Sequence, residues 1–280
     1  MRSGGLITGT TPLWDVARPR RSPLAGVTMA GFRDRTDGPI DLQVVPHPAV
    51  TVVVDVGRGD ALYAVDELHG GQERGAIVAG LGRHGVRGGG RDIECLQIRL
   101  SPLVAHTVLG ATAALDGALV TLEDLWGRDA VRTQERLVDA ATWEERFAIA
   151  TEALARRIVE GRHVDAEVGR AWQAITEQRG QVRVDDLAAE VGWSRKRLWS
   201  RFRAQIGLTP KRAAQLVRFD HAAHLLAAGD RAAWAAAEAG YSDQSHLHRE
   251  AVALAGMTPT ALAAAPWLSV DELAWTESPG

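Results

Sequence analysis

Ala188-Ala189-Glu190-Val191-Gly192-Trp193-Ser194 returns, 48 positions later, as Ala236-Ala237-Glu238-Ala239-Gly240-Tyr241-Ser242. Each copy runs through a helical stretch into Gly-x-Thr-Pro, first Gly207-Leu208-Thr209-Pro210 and then Gly256-Met257-Thr258-Pro259. Internal self-similarity of this kind marks one supersecondary unit used twice. Each unit reads as helix, tight turn, helix. In the first, Asp185 is placed to cap a helix that buries Leu187, Ala188 and Val191. Gly192 supplies the turn, because it accepts backbone angles that other residues resist. Ser194 caps the next helix, whose buried face is Leu198, Phe202 and Ile206, spaced four apart as a helix requires.

The other faces of that second helix carry Arg195, Lys196, Arg197, Ser200, Arg201 and Arg203, and no acidic residue occurs from Val191 through Phe219. Helix N-termini and basic side chains both attract phosphate, and Arg can read guanine with two hydrogen bonds. Trp193 and Trp199 read as packing residues. Thr209-Pro210 opens a further helix, since Pro is tolerated at the first helical position. It carries Lys211 in its first turn and Leu216, Phe219, Ala223 and Leu226 on one face, and it ends at Gly229. Such a helix would hold the two units at a fixed separation. In the second unit Trp234 and Ala237 are expected to face inward, Gly240 to turn and Ser242 to cap. The helix that follows carries Asp243, Gln244, Ser245, His246, His248 and Arg249, anchored by Leu247 and Leu254. Its one Arg, set against Asp243 and Glu250, predicts that the first unit supplies most of the electrostatic affinity for a polyanion.

The stretch from about Asp165 to Ala265 resembles the AraC/XylS-type DNA-binding domain. Gly240-Tyr241-Ser242-Asp243-Gln244-Ser245-His246-Leu247-His248-Arg249 carries the signature, and Gly256-Met257-Thr258-Pro259 closes it. The resemblance implies a transcription regulator with paired helix-turn-helix units, controlled through an N-terminal half by an effector or by self-association. It implies double-stranded DNA as a partner, with a small-molecule effector, RNA polymerase and a second copy of the chain as further ones. The candidate DNA contacts are Ser194, Arg195, Lys196, Arg197, Ser200, Arg201, Arg203 and Lys211 in the first unit. In the second they are Ser242, Asp243, Gln244, Ser245, His246 and Arg249. Three departures stand out: Ala251 occupies a place usually aromatic, Val252 and Ala253 places usually basic, and Ser200 a place often held by Arg.

Upstream the grammar is different. Between about residues 24 and 100 short alternating runs predict strands: Val50, Val52, Val54 and Val56 alternate with Thr51, Val53 and Asp55, and Leu96, Ile98 and Leu100 with Gln97 and Arg99. Leu42–Val45, Ala61–Val65 and Ala76–Leu81 are further candidates. Gly57-Arg58-Gly59-Asp60 and Gly88-Gly89-Gly90 read as turns. The pattern predicts a sandwich or small barrel. After Ser101-Pro102 the period becomes helical, and Thr142 with Glu145 forms a capping box ahead of Phe147, Ala150, Leu154 and Ile158. Gly161 ends that helix. The Arg99-Leu100-Ser101-Pro102 and Val108-Leu109-Gly110 stretches, with Trp143-Glu144-Glu145-Arg146-Phe147, resemble the β-rich half of some members of the same family. The expected fold class is α+β. Residues 1–162 form a β-rich sandwich or barrel-like regulatory, sensor or dimerisation domain with following helices. Residues 163–280 form an all-α domain with tandem helix-turn-helix units.

The formal net charge of −3 over 280 residues excludes a globally basic polyelectrolyte, so any nucleic-acid footprint has to be local. Cys95 is the only cysteine, which excludes an intrachain disulfide and a cysteine-rich zinc site. Met1–Thr10 lacks the apolar core of a secretion signal, and no run approaches the roughly 18 apolar residues of a membrane span. A cytoplasmic protein without membrane contact is expected. His47, His69, His84 and His106 lack metal-ligand spacing, so no metal and no cofactor is expected. Asp15, His47 and Ser101 could compose a hydrolytic triad, but no nucleophile elbow accompanies them, and the chain reads as no enzyme. The alternative is an enzyme or small-molecule-binding protein whose helical C-terminal domain only mediates protein contacts. The two readings part over the basic run Arg195–Arg218, since DNA binding alone predicts a steep loss of affinity with salt.

Overall fold

The computed structural model describes residues 6–11, 13–20, 22, 24–57, 62–67, 70–82, 85–110, 119–265, 268 and 271–275. Its N-terminal strands are β1 (Leu6–Thr10), β2 (Trp14–Pro19), β3 (Val27–Asp34), β4 (Ile40–Gln43), β5 (Val50–Asp55), β6 (Tyr63–Asp66), β7 (Gln72–Arg74), β8 (Ala76–Ala79), β9 (Val86–Gly90), β10 (Glu94–Leu100) and β11 (Leu119–Thr121). One sheet runs β1-β2-β3-β10-β5-β8-β11 and the other β4-β9-β6-β7, with antiparallel pairing throughout. In the larger sheet Leu96 lies opposite Gly31 and Val54, and Ile98 opposite Met29 and Val52.

Side chains alternate across a strand, and β10 uses both faces. Leu96, Ile98 and Leu100 join the main core with Val50, Val52 and Val54, packed under the helices. Cys95, Gln97 and Arg99 point the other way and line a cavity between the two sheets. The helices of this half are α1 (Pro102–Leu109), α2 (Leu122–Trp126), α3 (Arg128–Asp139) and α4 (Trp143–Glu160). The capping box of α4 forms as the sequence predicts: Glu145 N–H donates to Thr142 Oγ1 at 3.2 Å and Thr142 N–H to Glu145 Oε2 at 3.1 Å. Trp143 lies flat on the sheet because position 31 is glycine. A Cβ there would overlap the indole ring.

Several expectations need correction. Gly88-Gly89-Gly90 is no turn but most of β9, flanked by β4 and β6. A Cβ on Gly89 would overlap the Ile40 carbonyl and come within 2.7 Å of the Tyr63 hydroxyl, so Gly89 serves close packing between strands. The strands begin well before residue 24, with β1 and β2. The candidates at 42–45 and 61–65 start about two residues off, as β4 and β6. Arg58, Gly59, Asp60, Ala61, His69 and His84 lie outside the described residues. Asp15, His47 and Ser101 hold separate posts. Asp15 pairs with Arg35 at 3.4 Å, His47 Nε2 lies 3.1 Å from Thr51 Oγ1, and Ser101 Oγ caps α1.

The C-terminal half comprises α5 (Ala166–Glu177), α6 (Val184–Glu190), α7 (Arg195–Ile206), α8 (Pro210–Ala227), α9 (Ala232–Glu238), α10 (Gln244–Ala255), α11 (Pro259–Ala263) and α12 (Asp271–Trp275). Leu216, Phe219, Ala223 and Leu226 of α8 are buried as expected. One hydrophobic core runs through both halves. Gln43 of β4 donates to the Ala255 carbonyl of α10 at 2.6 Å, and α12 returns to the large sheet, where Trp275 meets Phe32 at 6.1 Å between ring centroids. Among the described residues no helix is long and apolar enough to cross a membrane, and no cluster of His, Cys, Asp and Glu could hold a metal ion.

The Gly31 contact gives a direct test. Gly31→Ala should destabilise the chain by about 1–3 kcal/mol through overpacking. In a Trp143→Ala background the same change should lose most of its effect, as urea unfolding of the four variants will measure.

Candidate nucleic-acid interface

In the first unit Gly192 turns at φ +70° and Ser194 Oγ accepts from Arg197 N–H at 3.3 Å, capping α7 as expected. Leu198, Phe202 and Ile206 are buried. Arg195, Lys196, Arg197, Trp199, Ser200, Arg201 and Arg203 are exposed. Asp185 does not cap α6. Arg183 occupies the cap without a side-chain bond, while Asp185 reaches across to Arg195 Nε at 2.9 Å. The Arg197 guanidinium lies 4.5 Å over the Trp193 ring, and that of Arg203 5.4 Å over Trp199. Trp199 is 46% exposed, so it is no packing residue but a platform for Arg203.

Arg201 has a separate engagement. Its Nε and Nη2 donate to the two carboxylate oxygens of Asp165 at 2.7 and 2.9 Å, the bidentate geometry that makes Arg–carboxylate pairs strong. Its hydrogen bond holds the Asp165 carboxyl below the usual carboxylate range. Asp165 N–H in turn donates to buried Gln205 at 2.9 Å. Arg201 thus ties α7 to the start of α5. Lys211 is exposed in the first turn of α8.

The second unit corrects three expectations. Trp234 is 51% exposed and Ala237 is exposed; Ala235, Ala236 and Ala239 face inward, their methyl groups letting α9 approach its neighbours closely. The cap of α10 is Asp243, whose Oδ1 accepts from His246 N–H at 2.7 Å, and Ser242 supports it by donating to Asp243 Oδ2 at 3.1 Å. Glu250 is not a surface charge. It is buried, accepts twice from Arg218 Nη2 at 3.0 and 2.9 Å and accepts from the Tyr241 hydroxyl at 2.9 Å. Arg218 also lies 4.7 Å over the Tyr241 ring. The signal was present in sequence: Glu250 shares the helical face of Leu247 and Leu254. Gln244, Ser245, His248 and Arg249 remain exposed, and half-buried His246 stands edge-on to Tyr241 at 5.1 Å. Ala251 is wholly buried.

Two capped helices thus each offer a polar outer face, joined by one buried helix. Residues 187–265 match the family model of the helix-turn-helix domain. This region is a helix-turn-helix domain of the AraC type. The chain is 39% identical over 66 residues to the uncharacterized HTH-type transcriptional regulator YbfI of Bacillus subtilis (strain 168), a match covering 24% of each chain. Its fold is similar to that of an apo form of ToxT from Vibrio cholerae strain SCE256, with a TM-score of 0.50 and 11% identity, over 88% of this chain and 99% of that one. A looser likeness, TM-score 0.35 and 19% identity, is to the C-terminal domain of AraT, a response regulator from Geobacillus stearothermophilus, over 37% of this chain and 88% of that one. The AraC-type domain therefore lies within an architecture, β-rich and then helical, that extends along the chain.

Within the AraC-type domain the Arg218–Glu250 pair should dominate stability. Glu250→Ala leaves a buried guanidinium unpaired and should cost about 3–5 kcal/mol. Arg249→Ala, one position away and exposed, should stay within about 0.5 kcal/mol. Urea denaturation of the two variants separates them.

Proposed function

We propose that the chain is a sequence-specific, DNA-binding transcription regulator, with residues 163–280 as the DNA-binding part and 1–162 as the regulatory part. The observation that carries the reading is the pair of exposed, capped helices α7 and α10, fixed by the buried α8. Helices presented in this way can enter successive major grooves on one face of a duplex, with half-sites about 34 Å apart. Lys196, Arg197, Ser200 and Arg203 of α7 and Gln244, Ser245 and Arg249 of α10 are assigned to base edges or nearby phosphates. Ser194, Arg195, Lys211 and Ser242 are assigned to the backbone. Asp243 and His246 shape the start of α10. Arg201 acts first as the clamp on Asp165. The reading is of a binding protein working in the cytoplasm, and it calls for no reaction.

The cavity between the sheets, of about 120 Å³ and mostly apolar walls, is the seat proposed for a small effector. An engineered cavity of about 150 Å³ suffices for benzene.

Binding isotherms on a duplex selected from random sequence, at several salt concentrations, test the proposal. Affinity should fall linearly on a log–log plot as counterions are released. Arg197→Ala should cost about 1–3 kcal/mol, and Arg249→Ala less. Asp165→Asn releases Arg201 and removes a negative charge, so it should steepen the salt slope by about one. Failure to select any duplex at low salt, or affinity indifferent to salt, would overturn the reading.

A further inference from the structure

The outer side of α7 carries one side chain for which attraction to phosphate gives no reason. Lys196, Trp199, Ser200 and Arg203 stand at positions i, i+3, i+4 and i+7 of the helix, so they form one stripe along it. All four are exposed, while Leu198, Phe202 and Ile206 turn to the core. The other three are polar or cationic. Trp199 is an indole, 46% exposed, in the middle of the stripe. Trp193, just ahead of the helix, packs against the main core, and Trp199 does not share that burial. The Arg203 guanidinium lies 5.4 Å from the centre of the Trp199 ring. The indole is thus held beside a cation, on a face that suits a polyanion.

A scattered apolar residue on a surface is ordinary. This one is set apart by its place. It lies in the second turn of a helix capped by Ser194, and the N-terminal part of a recognition helix is the part that reaches base edges. An indole there sheds its water favourably only against another apolar surface. The base-pair edges in the major groove carry donors, acceptors and one bulky apolar group, the C5-methyl of thymine. The second head gives an internal comparison. Leu247 of α10 is fully buried, as Leu198 of α7 is, and the outer face of each helix can be counted from that anchor. Trp199 follows Leu198, whereas His248 follows Leu247, and both are exposed. At this place the first head is apolar and the second is polar.

We infer that Trp199 is a specificity-determining residue that reads thymine: its indole packs on the C5-methyl of a thymine in the major groove of the half-site held by α7. The contact is one of shape and apolar area. It adds sequence preference without adding to the salt dependence that the Lys and Arg side chains of α7 supply. Because His248 stands at the matching place on α10, the preference belongs to one half-site. The inference rests on the reading of residues 163–280 as the DNA-binding part and deepens it by naming a base that the first head selects.

The test removes the methyl group alone. On a duplex selected from random sequence, each thymine is replaced in turn by uracil, which keeps the base pair and all its hydrogen-bonding groups. Binding isotherms are taken for the full chain, wild type and Trp199→Ala. In wild type, uracil at one thymine or two neighbouring ones within a single half-site should weaken binding by about fourfold, the worth of one buried carbon group. In Trp199→Ala the same replacements should change affinity by less than about 1.5-fold, the coupling that marks a direct contact. Its slope of log affinity against log salt should match wild type, because no charge is removed. Trp199→Gln answers the same question should the alanine variant fold poorly. A selected site without thymine, wild-type affinity indifferent to every uracil, or a uracil effect of equal size in wild type and variant would each overturn the inference. A lower salt slope in Trp199→Ala would also overturn it, since the indole would then only steady Arg203 on a phosphate. A duplex bound with steep salt dependence but indifferent to uracil sinks this inference and leaves the DNA-binding reading standing. Failure to select any duplex sinks both.

Discussion

The two-residue period of β10 divides this molecule. Leu96, Ile98 and Leu100 look toward the helices, and Cys95, Gln97 and Arg99 toward the smaller sheet. Because the period is two, a slip of one residue would exchange the faces, driving Arg99 into the apolar core at a cost of several kcal/mol. The pairing of Leu96 and Ile98 with β3 on one side and β5 on the other therefore does more than close a sheet. It decides that the one strong cation of the strand stands at the seam, within reach of the helical half.

The helical half depends in a similar way on α8. Eighteen residues long, it spans about 27 Å, and its buried stripe receives both units. On the first unit's side it follows Leu208, which packs with Leu216 near Gly82 of the sandwich. On the second unit's side Arg218 holds α10 through Glu250. Near its end His224 reaches Asp271. A single rigid element thus sets the spacing of the two outer faces and carries the tie to the sandwich.

Features set by local period and local backbone geometry were legible in the sequence. Gly192 and Gly240 turn at positive φ, Ser194 and Thr142 cap their helices, and Leu198, Phe202 and Ile206 are buried. What escaped depends on which surfaces meet. Trp234 looked apolar enough to be inside, yet the close approach of α9 favours alanines. Ser242 and Asp243 are both good caps in isolation, and the structure chooses the second. Three glycines in a row read as a turn because nothing local reveals that Tyr63 and Ile40 will crowd the middle one, Gly89, from either side. Arg201 looked available for phosphate, but Asp165, 36 positions away, claims it. Asp271 and Arg99 are 172 positions apart, and a pairing of that span has no periodic trace.

Cys95, first met as the residue that excludes a disulfide, has a role as an observer. It is fully enclosed on the cavity face of β10, and burial, with Asp55 and Glu94 nearby, pushes its thiol far above the ordinary range. Since the thiolate is the reactive form, the side chain is silent toward alkylating reagents while the sheets stay closed. It is also the only sulfhydryl in the sequence. The rate at which a thiol reagent consumes it is therefore a clock for the breathing of the sandwich, readable without introducing any label into the protein.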